Sequence, residues 1–100
     1  MLPFLSFDCE GFIGSTFNFM LPHYKKVASL YSEHSKEALV LQTKANNIMS
    51  VIWNIGLFPA IKYILTKQGI NVGITRKPFI QLTNEEKKRI DKVIDENLCN

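Results

Sequence analysis

The 100-residue sequence has few of the side chains from which metal centres and catalytic sites are usually built. Its two cysteines, Cys9 and Cys99, stand near opposite ends of the chain and lack the spacing of metal ligands. We therefore predict free thiols and no metal site. Its two histidines, His23 and His34, have no matching pair of carboxylates, and we predict that both are surface residues rather than ligands or bases.

Long apolar runs and a strong net charge are also absent. No apolar run reaches the roughly 18 residues that a membrane span requires. The apolar segment 1–7 carries no basic residue and is soon followed by Asp8 and Glu10, unlike a secretory signal. The formal net charge is +3, and the densest basic group, in residues 87–92, alternates with acidic residues as on a solvated helix face. We therefore predict a cytoplasmic protein that binds neither membranes nor nucleic acid.

Most of the chain has the pattern of helices in one small domain. The clearest helix follows Ser35, a good N-cap with Glu37 in the first turn, and ends at Gly56 in the manner of a C-cap. Its apolar residues recur at three- and four-residue steps, which indicates one buried helix face. They are Ala38, Leu41, Ala45, Ile48, Met49, Ile52 and Trp53.

Two more helices are predicted towards the C-terminus. The first begins with Pro59 in its N1 position and stops at Gly69. The second begins at Thr83 and Glu86, which have the spacing of a capping box. The stretch between them is predicted to be extended because Pro78 keeps the preceding residue out of the helical region.

Residues 11–18, with the sequence Gly-Phe-Ile-Gly-Ser-Thr-Phe-Asn, are the candidate functional segment. We predict a buried strand near residues 11–14, followed by a helix that has Pro22 in its first turn. Ser15, Thr16 and Asn18 then offer hydroxyl and amide groups beside the backbone N–H groups around Gly14. A strand that ends in this way resembles the ligand-binding mouth of a parallel α/β unit. Gly-Ser-Thr is also ordinary loop chemistry, and that alternative stays open.

The predicted strand has no partner strand elsewhere in the sequence. A single strand cannot satisfy its own backbone hydrogen-bonding groups. Either a second copy of the chain supplies the partner, or the rest of the sheet is missing.

The remaining residues do not assemble a complete active site. Lys62 is the only lysine within an apolar run, and we predict that its stem packs on the helix surface rather than forming a Schiff base. Trp53 and Phe58 are predicted to lie in the core. No nucleophile, base and orienting partner come together in the pattern.

Residues 11–18 resemble the eighth-strand motif of the N-acetylneuraminate lyase and dihydrodipicolinate synthase superfamily. The resemblance covers nearly the whole chain, in the order and spacing of the C-terminal part of the lyases. It continues through Ala-Leu-Val-Leu-Gln at 38–42, Asn-Asn at 46–47, Ile-Gly-Leu-Phe at 55–58, Ile-Lys at 61–62 and Arg-Lys-Pro-Phe at 76–79. The first motif combined with Arg-Lys-Pro-Phe is more similar to the sialic acid lyase branch than to the lysine-biosynthesis branch.

This resemblance implies an α-rich C-terminal fragment of a (β/α)8 TIM barrel. Residues 1–34 would hold strand 8 and helix 8 at the end of the barrel, and residues 35–100 would form a C-terminal extension of three appended helices. The first and seventh strands would then be the missing partners of the predicted strand. Barrels of this kind have about 250 residues, so the chain would be less than half of one. The intact enzyme is expected to be a homotetramer.

The resemblance also implies a chemistry for the intact enzyme. It would cleave N-acetylneuraminate to N-acetylmannosamine and pyruvate as a class I aldolase, with a lysine that forms a Schiff base and a tyrosine that handles the proton. Neither metal nor another cofactor is expected. That lysine and tyrosine lie on earlier strands, so no catalytic residue is expected in this chain, which would be inactive alone. The alternatives are a dihydrodipicolinate synthase or another keto-acid aldolase, and a free-standing helical interaction module.

Three substrate-binding positions are implied by the resemblance. Ser15 matches a serine that helps to hold the sugar portion of the substrate, and Gly14 lets the backbone come close to it. Phe58 matches an aromatic residue near the pocket. Glu10 and Phe17 depart from the usual aspartate and tyrosine, and the second change removes a hydroxyl group at the barrel mouth.

Overall fold

The computed structural model describes residues 1–98, and these residues form five α-helices. The bounds are α1 Leu2–Leu5, α2 Phe17–Ser32, α3 Glu37–Ile55, α4 Leu57–Lys67 and α5 Asn84–Asn97. The long helix α3 packs against each of the other four. The order of one helix followed by three more, predicted for the chain after residue 18, is therefore observed in α2 to α5. Cys99 lies outside the described residues.

The strand predicted near residues 11–14 is not formed in the described part of the chain, and that prediction is wrong for this structure. The segment is irregular, and the Ile13 side chain is 100% exposed. The physical reason is the one that the sequence already indicated. A strand needs a neighbour for its backbone N–H and C=O groups, and the residues described here supply none.

Helix α2 is bent near its start. Met20 has the non-helical angles φ −134° and ψ 27°, two residues before Pro22, which lacks the N–H of a regular helical turn. Pro22 therefore stands in the first turn of the part of the helix that follows the bend, as the sequence predicts. The bend lets both Phe19 and Met20 point into the core, where Met20 is fully buried.

The two histidines, one in α2 and one just after it, have different environments. His34 is exposed just after α2 with a positive φ of 56°. His23 is fully buried, and its Nε2 donates to the carbonyl oxygen of Leu41 at 2.7 Å. The prediction of a surface residue is wrong for His23, because the turn of α2 that carries it lies against α3 and the carbonyl satisfies the ring.

Helix α3 ends at Gly56 as predicted, but its N-cap is Lys36 rather than the predicted Ser35, and the N-cap side chain makes no capping hydrogen bond. The Ser35 hydroxyl accepts the backbone N–H of Glu37 at 3.2 Å, and Gly56 ends the helix with a φ of 140°. The buried stripe consists of Ala38, Gln42, Ala45, Ile48 and Ile52. Trp53 is not part of it: its side chain is 72% exposed, one position around the helix from Ile52. The prediction that Trp53 lies in the core is wrong.

The last two helices also follow their end signals closely. Helix α4 begins at Leu57, so Pro59 is its third residue rather than its first, and Gly69 follows its end with a φ of 94°. The capping box of α5 is present: Thr83 Oγ1 accepts the N–H of Glu86 at 3.2 Å, and the Glu86 carboxylate accepts the N–H of Thr83 at 2.9 Å.

The core lies between α2, α3, α4 and α5. Its side chains are mostly aliphatic. They are Phe19, Met20, Tyr24, Ala45, Ile48, Ile52, Ala60, Ile61, Ile64, Ile90 and Val93. In the described residues no single helix has both the length and the apolar composition of a membrane span. Helices α3 and α4, bent by 119° at their junction, meet both criteria only when they are taken together as a pair.

Candidate functional site

The segment that carries Gly14, Ser15 and Thr16 lies over helix α3 and forms a groove with it. The groove has a volume of about 520 Å³. One wall is the irregular segment, and the other is the outer face of α3 with the first residue of α4. That second wall consists of Asn46, Met49, Ser50, Trp53, Asn54 and Leu57.

A short chain of buried polar contacts holds the irregular segment in place. The Tyr24 hydroxyl, on a side chain only 3% exposed, donates to Met49 Sδ at 3.5 Å and lies 3.2 Å from Thr16 Oγ1. The phenol has one proton, so the Thr16 hydroxyl is the donor in the second contact whenever Tyr24 donates to the sulfur. The Phe17 ring packs 4.8 Å from the Tyr24 ring. Helix α2 thus fixes the position of residue 16 and, through it, the position of Ser15.

Ser15 contributes its backbone rather than its side chain to this arrangement. Its carbonyl oxygen accepts the side-chain N–H of Asn18 at 2.8 Å. Its hydroxyl has no hydrogen-bond partner among residues 1–98, and the side chain is half-buried at the edge of the groove. A hydroxyl held in this way is available to a ligand.

Gly14 lies beside it with room around its α-carbon. A Cβ added there would meet the Phe17 ring at 3.9 Å, an ordinary contact, so packing within the described chain does not require glycine. The space that a side chain would fill opens into the groove instead. A ligand could therefore come close to the backbone at this point.

Phe58 lies outside the groove. It is 52% exposed, and its ring packs edge-on against Phe79 with centroids 5.7 Å apart. The prediction that Phe58 is a core residue is wrong. The α4 residue that lines the groove is its neighbour Leu57. The structure therefore brings Gly14 and Ser15 to one site and places Phe58 elsewhere, while their roles in substrate binding stay predictions.

The residues of α3 that line the groove were not predicted from the sequence as a site. Asn46, Ser50 and Trp53 with its neighbour Asn54 are three or four positions apart and share one helix face. The signal was present in that spacing. It is hidden by Trp53, which is large and apolar and stands next to buried Ile52, so that the pattern predicts a core residue there.

The groove has groups that can bind a ligand but few that could catalyse its conversion. Ser15, Ser50, Asn46 and Asn54 line the same groove as Trp53, and hydroxyl and amide groups beside an indole suit a molecule with many hydroxyl groups. None of its lining residues is an acid, a lysine or a histidine. Within residues 1–98 no cluster of histidine, cysteine and carboxylate side chains has the arrangement of a metal site.

Comparison with known proteins places this chain in a family of lyases and aldolases. The family model described as "Dihydrodipicolinate synthetase family" matches residues 1–97, and the chain belongs to that family. The resemblance inferred from residues 11–18 and 76–79 is thereby confirmed. The described helices match a part of the family's TIM barrel, without the strand that the sequence predicts.

The individual relatives are sialic acid lyases by name. N-acetylneuraminate lyases from Actinobacillus pleuropneumoniae serotype 5b (strain L20) and serotype 3 (strain JL03) are each 30% identical over 95 residues. The match covers 94% of this chain and 32% of each relative. The solved structure of Proteus mirabilis N-acetylneuraminate lyase has a TM-score of 0.74 at 26% identity, covering 84% of this chain and 29% of that one. The chain thus spans about a third of the length of the curated relatives that it matches.

Proposed function

We propose that this chain is the C-terminal part of an N-acetylneuraminate lyase. The whole cytoplasmic enzyme, a homotetramer, cleaves N-acetylneuraminate to N-acetylmannosamine and pyruvate. The observation that carries the proposal is the groove at Gly14 and Ser15, which holds a partner-free hydroxyl beside open backbone in a chain similar to lyases over 94% of its length. The division into a barrel end at 1–34 and a helical extension at 35–100 is part of the same proposal.

In this proposal the chain binds substrate and does not carry out the chemistry. The lysine that forms the Schiff base with the pyruvate portion and the tyrosine that moves the proton belong to the rest of the enzyme. The groove fits this division, because none of its lining groups can take or give a proton at neutral pH. The Ser15 hydroxyl forms a hydrogen bond with the sugar portion of the substrate. The absence of a side chain at Gly14 lets the substrate come close to the backbone. Phe58 lies outside the groove in the separate chain, so in this proposal its aromatic contact requires that the rest of the enzyme extend the pocket to it.

The irregular segment before Gly14 becomes the eighth strand when its neighbours are present. In the chain alone, Ile13 is fully exposed and Phe12 is half-buried, an unfavourable state for two large apolar side chains. Pairing with the first and seventh strands of a barrel would satisfy the backbone and bury these side chains together. The same pairing would fix Ser15 at the end of a strand.

A chimera tests the proposal directly. The chain replaces the part of the Actinobacillus pleuropneumoniae lyase that it matches, and the product is assayed for pyruvate release from N-acetylneuraminate. We expect activity in the chimera, and we expect Ser15→Ala to lower kcat/KM by roughly tenfold or more, as for a lost hydrogen bond to a polar substrate. Ser29→Ala, at an exposed position on α2, is the matched control and should change nothing.

Borohydride trapping separates binding from chemistry. Treatment with pyruvate and borohydride should label the chimera covalently and leave the 100-residue chain unlabelled. A labelled chain would contradict the assignment of the Schiff-base lysine to another part of the enzyme. A folded, tetrameric chimera that releases no pyruvate would refute the lyase proposal itself.

The family name supports a second candidate, a dihydrodipicolinate synthase or another keto-acid aldolase. This enzyme would condense pyruvate with aspartate semialdehyde instead of cleaving a sugar acid. The same chimera, supplied with those two compounds, distinguishes the activities. Condensation without cleavage of N-acetylneuraminate would favour this candidate.

The continuous core favours a third candidate, a free-standing helical module that acts through protein contacts. Helices α2 to α5 bury a contiguous core with no contribution from another part of a barrel. Such a module should be monomeric and should not bind a hydrophobic dye. The lyase proposal predicts the opposite for the separate chain, because many large apolar side chains are left uncovered. They include Phe4, Phe7, Ile13, Leu39, Val40, Trp53, Ile74 and Ile80.

A further inference from the structure

A second cavity, away from the groove at Gly14, lies between α4, the connecting segment 71–82 and the start of α5. The sequence predicts that this segment is extended, but it forms no strand and turns at residues 77–79. Its volume is about 360 Å³, at the small end of the range for ligand pockets. Two of its lining residues are lysines, Lys62 from α4 and Lys87 from α5. None of its lining residues is acidic. The cavity is thus a small space with two positive charges on its walls.

Both ammonium groups have unused hydrogen-bonding capacity. Lys62 Nζ donates to the carbonyl oxygens of Val72 and Ile74 at 3.5 and 3.4 Å, longer than the usual 2.7–3.2 Å. Lys87 Nζ lies 5.7 Å from the centre of the Tyr63 ring, a cation–π distance that uses none of its three N–H donors. An anion in the cavity would give both groups the short contacts that residues 1–98 do not supply.

The carboxylates of α5 that could neutralise these lysines are engaged with other groups. Both oxygens of Asp91 accept the Tyr63 hydroxyl, at 3.0 and 2.9 Å. The Glu86 carboxylate accepts the N–H of Thr83 in the capping box. Both carboxylates keep their negative charge, but neither forms an ion pair with Lys62 or Lys87 within residues 1–98.

Side-chain hydrogen bonds hold the connecting segment 71–82 in place as one wall of the cavity. Gln81 Nε2 donates to the Thr75 carbonyl oxygen at 2.9 Å, and the Thr75 side chain is only 6% exposed. Asn71 Oδ1 accepts the N–H of Gly73 at 3.2 Å. These contacts keep Gln81 and Asn71 at the cavity beside the two lysines, so the site exists before a ligand arrives.

We propose that this cavity binds a small phosphate monoester, with its phosphate group between Lys62 and Lys87. Lysine binds phosphate as a compact point charge, and two ammonium groups match the dianion. No arginine lines the cavity, so the phosphate would be held by the point charges and N–H donors of the two ammonium groups. The proposal concerns a site separate from the sialic acid groove and does not depend on the proposed function.

Isothermal titration of the 100-residue chain with glycerol 2-phosphate, at low and constant ionic strength, tests this inference. We expect saturable binding at one site, weakened roughly tenfold to a hundredfold in Lys87→Met and in Lys62→Met. Lys88→Met on α5 and Lys67→Met on α4 remove exposed lysines that do not line the cavity, and they should bind like the parent. Lys87→Arg keeps the charge and should stay within about threefold of the parent. Circular dichroism of each variant checks that the helices are intact.

Three results would overturn the proposal. The first is the absence of saturable binding to the folded parent chain. The second is an equal loss in Lys87→Met and Lys88→Met, which would indicate diffuse attraction to the surface of α5. The third is succinate binding as tightly as glycerol 2-phosphate, which would assign the cavity to carboxylates. The same titration of the active chimera distinguishes failure of this site from failure of the lyase proposal, since activity there is measured separately.

Discussion

The contact between Tyr24 and Thr16 gives the sharpest test of how the groove is held. The Tyr24→Phe substitution removes one hydroxyl from a side chain that is 3% exposed and leaves the ring in place. The Thr16 hydroxyl, on a residue 8% exposed, then loses its partner at 3.2 Å. A buried polar group left unpaired costs about 1–3 kcal/mol. We expect a destabilisation of about 1 kcal/mol, at the low end of this range. The distance of 3.2 Å is long for a hydrogen bond between two hydroxyls, and the sulfur atom is a weak acceptor.

A double-mutant cycle isolates this contact. Thr16→Val should cost a similar amount, because it leaves the Tyr24 hydroxyl with only Met49 Sδ as a partner. The double variant removes both hydroxyls, so no group is left unpaired, and its cost should fall below the sum of the two single costs by about 0.5–1 kcal/mol. The free energy of unfolding is measured by urea titration and circular dichroism at micromolar concentration. Strictly additive costs would refute the reasoning that the two hydroxyls depend on each other.

The remaining predictions concern the core, a tyrosine and the groove. Ile48→Ala, at a fully buried position, should lower the free energy of unfolding of the chain by about 2–5 kcal/mol, whereas Ile13→Ala, fully exposed, should change it by less than about 0.5 kcal/mol in urea titrations. In the chimera Ile13→Ala should become destabilising if the eighth strand forms there. Burial, together with the hydrogen bond to Asp91 and its charge, raises the pKa of Tyr63 above its ordinary value of 10.0, so stability from this group is full below pH 10 and is lost as pH rises through the raised pKa. Asp91→Asn should move the ultraviolet titration of Tyr63 back towards pH 10, and an unchanged curve would contradict the assignment. Trp53→Ala in the chimera should raise KM for N-acetylneuraminate with little loss of stability, because the indole is 72% exposed at the groove.

Much of the helical architecture could be predicted because the signals for helix ends are local. Thr83 and Glu86 satisfy each other's backbone groups within one turn, whatever the rest of the chain does. Gly56 and Gly69 adopt positive φ at the ends of α3 and α4, as their positions after apolar helical runs indicate. The family resemblance was likewise visible in short stretches of residues, since a motif is a property of the sequence itself.

The candidate site was predicted only in part. Ser15 and Gly14 could be singled out from their own pattern of polar groups and glycine. The opposite wall of the groove could not be predicted, because the face of α3 that lies against these residues depends on how that helix is rotated against α2 and α5. Trp53 and Phe58 show the limit of the pattern. Trp53 stands next to a buried position and Phe58 next to a partly buried one, and a shift of one residue turns a side chain by about 100° around a helix.

The sequence by itself determined the helices, their ends and the family, because these depend on neighbours a few positions apart or on motifs read directly. Only the tertiary structure decided that His23 is buried against a carbonyl group, that Trp53 faces a groove and that Lys62 and Lys87 share a cavity. It also decided that residues 11–14 form no strand here, although their apolar pattern suits one. The reason is common to all four: each depends on a partner distant in the sequence, and a strand or a buried polar group is stable only when that partner is present.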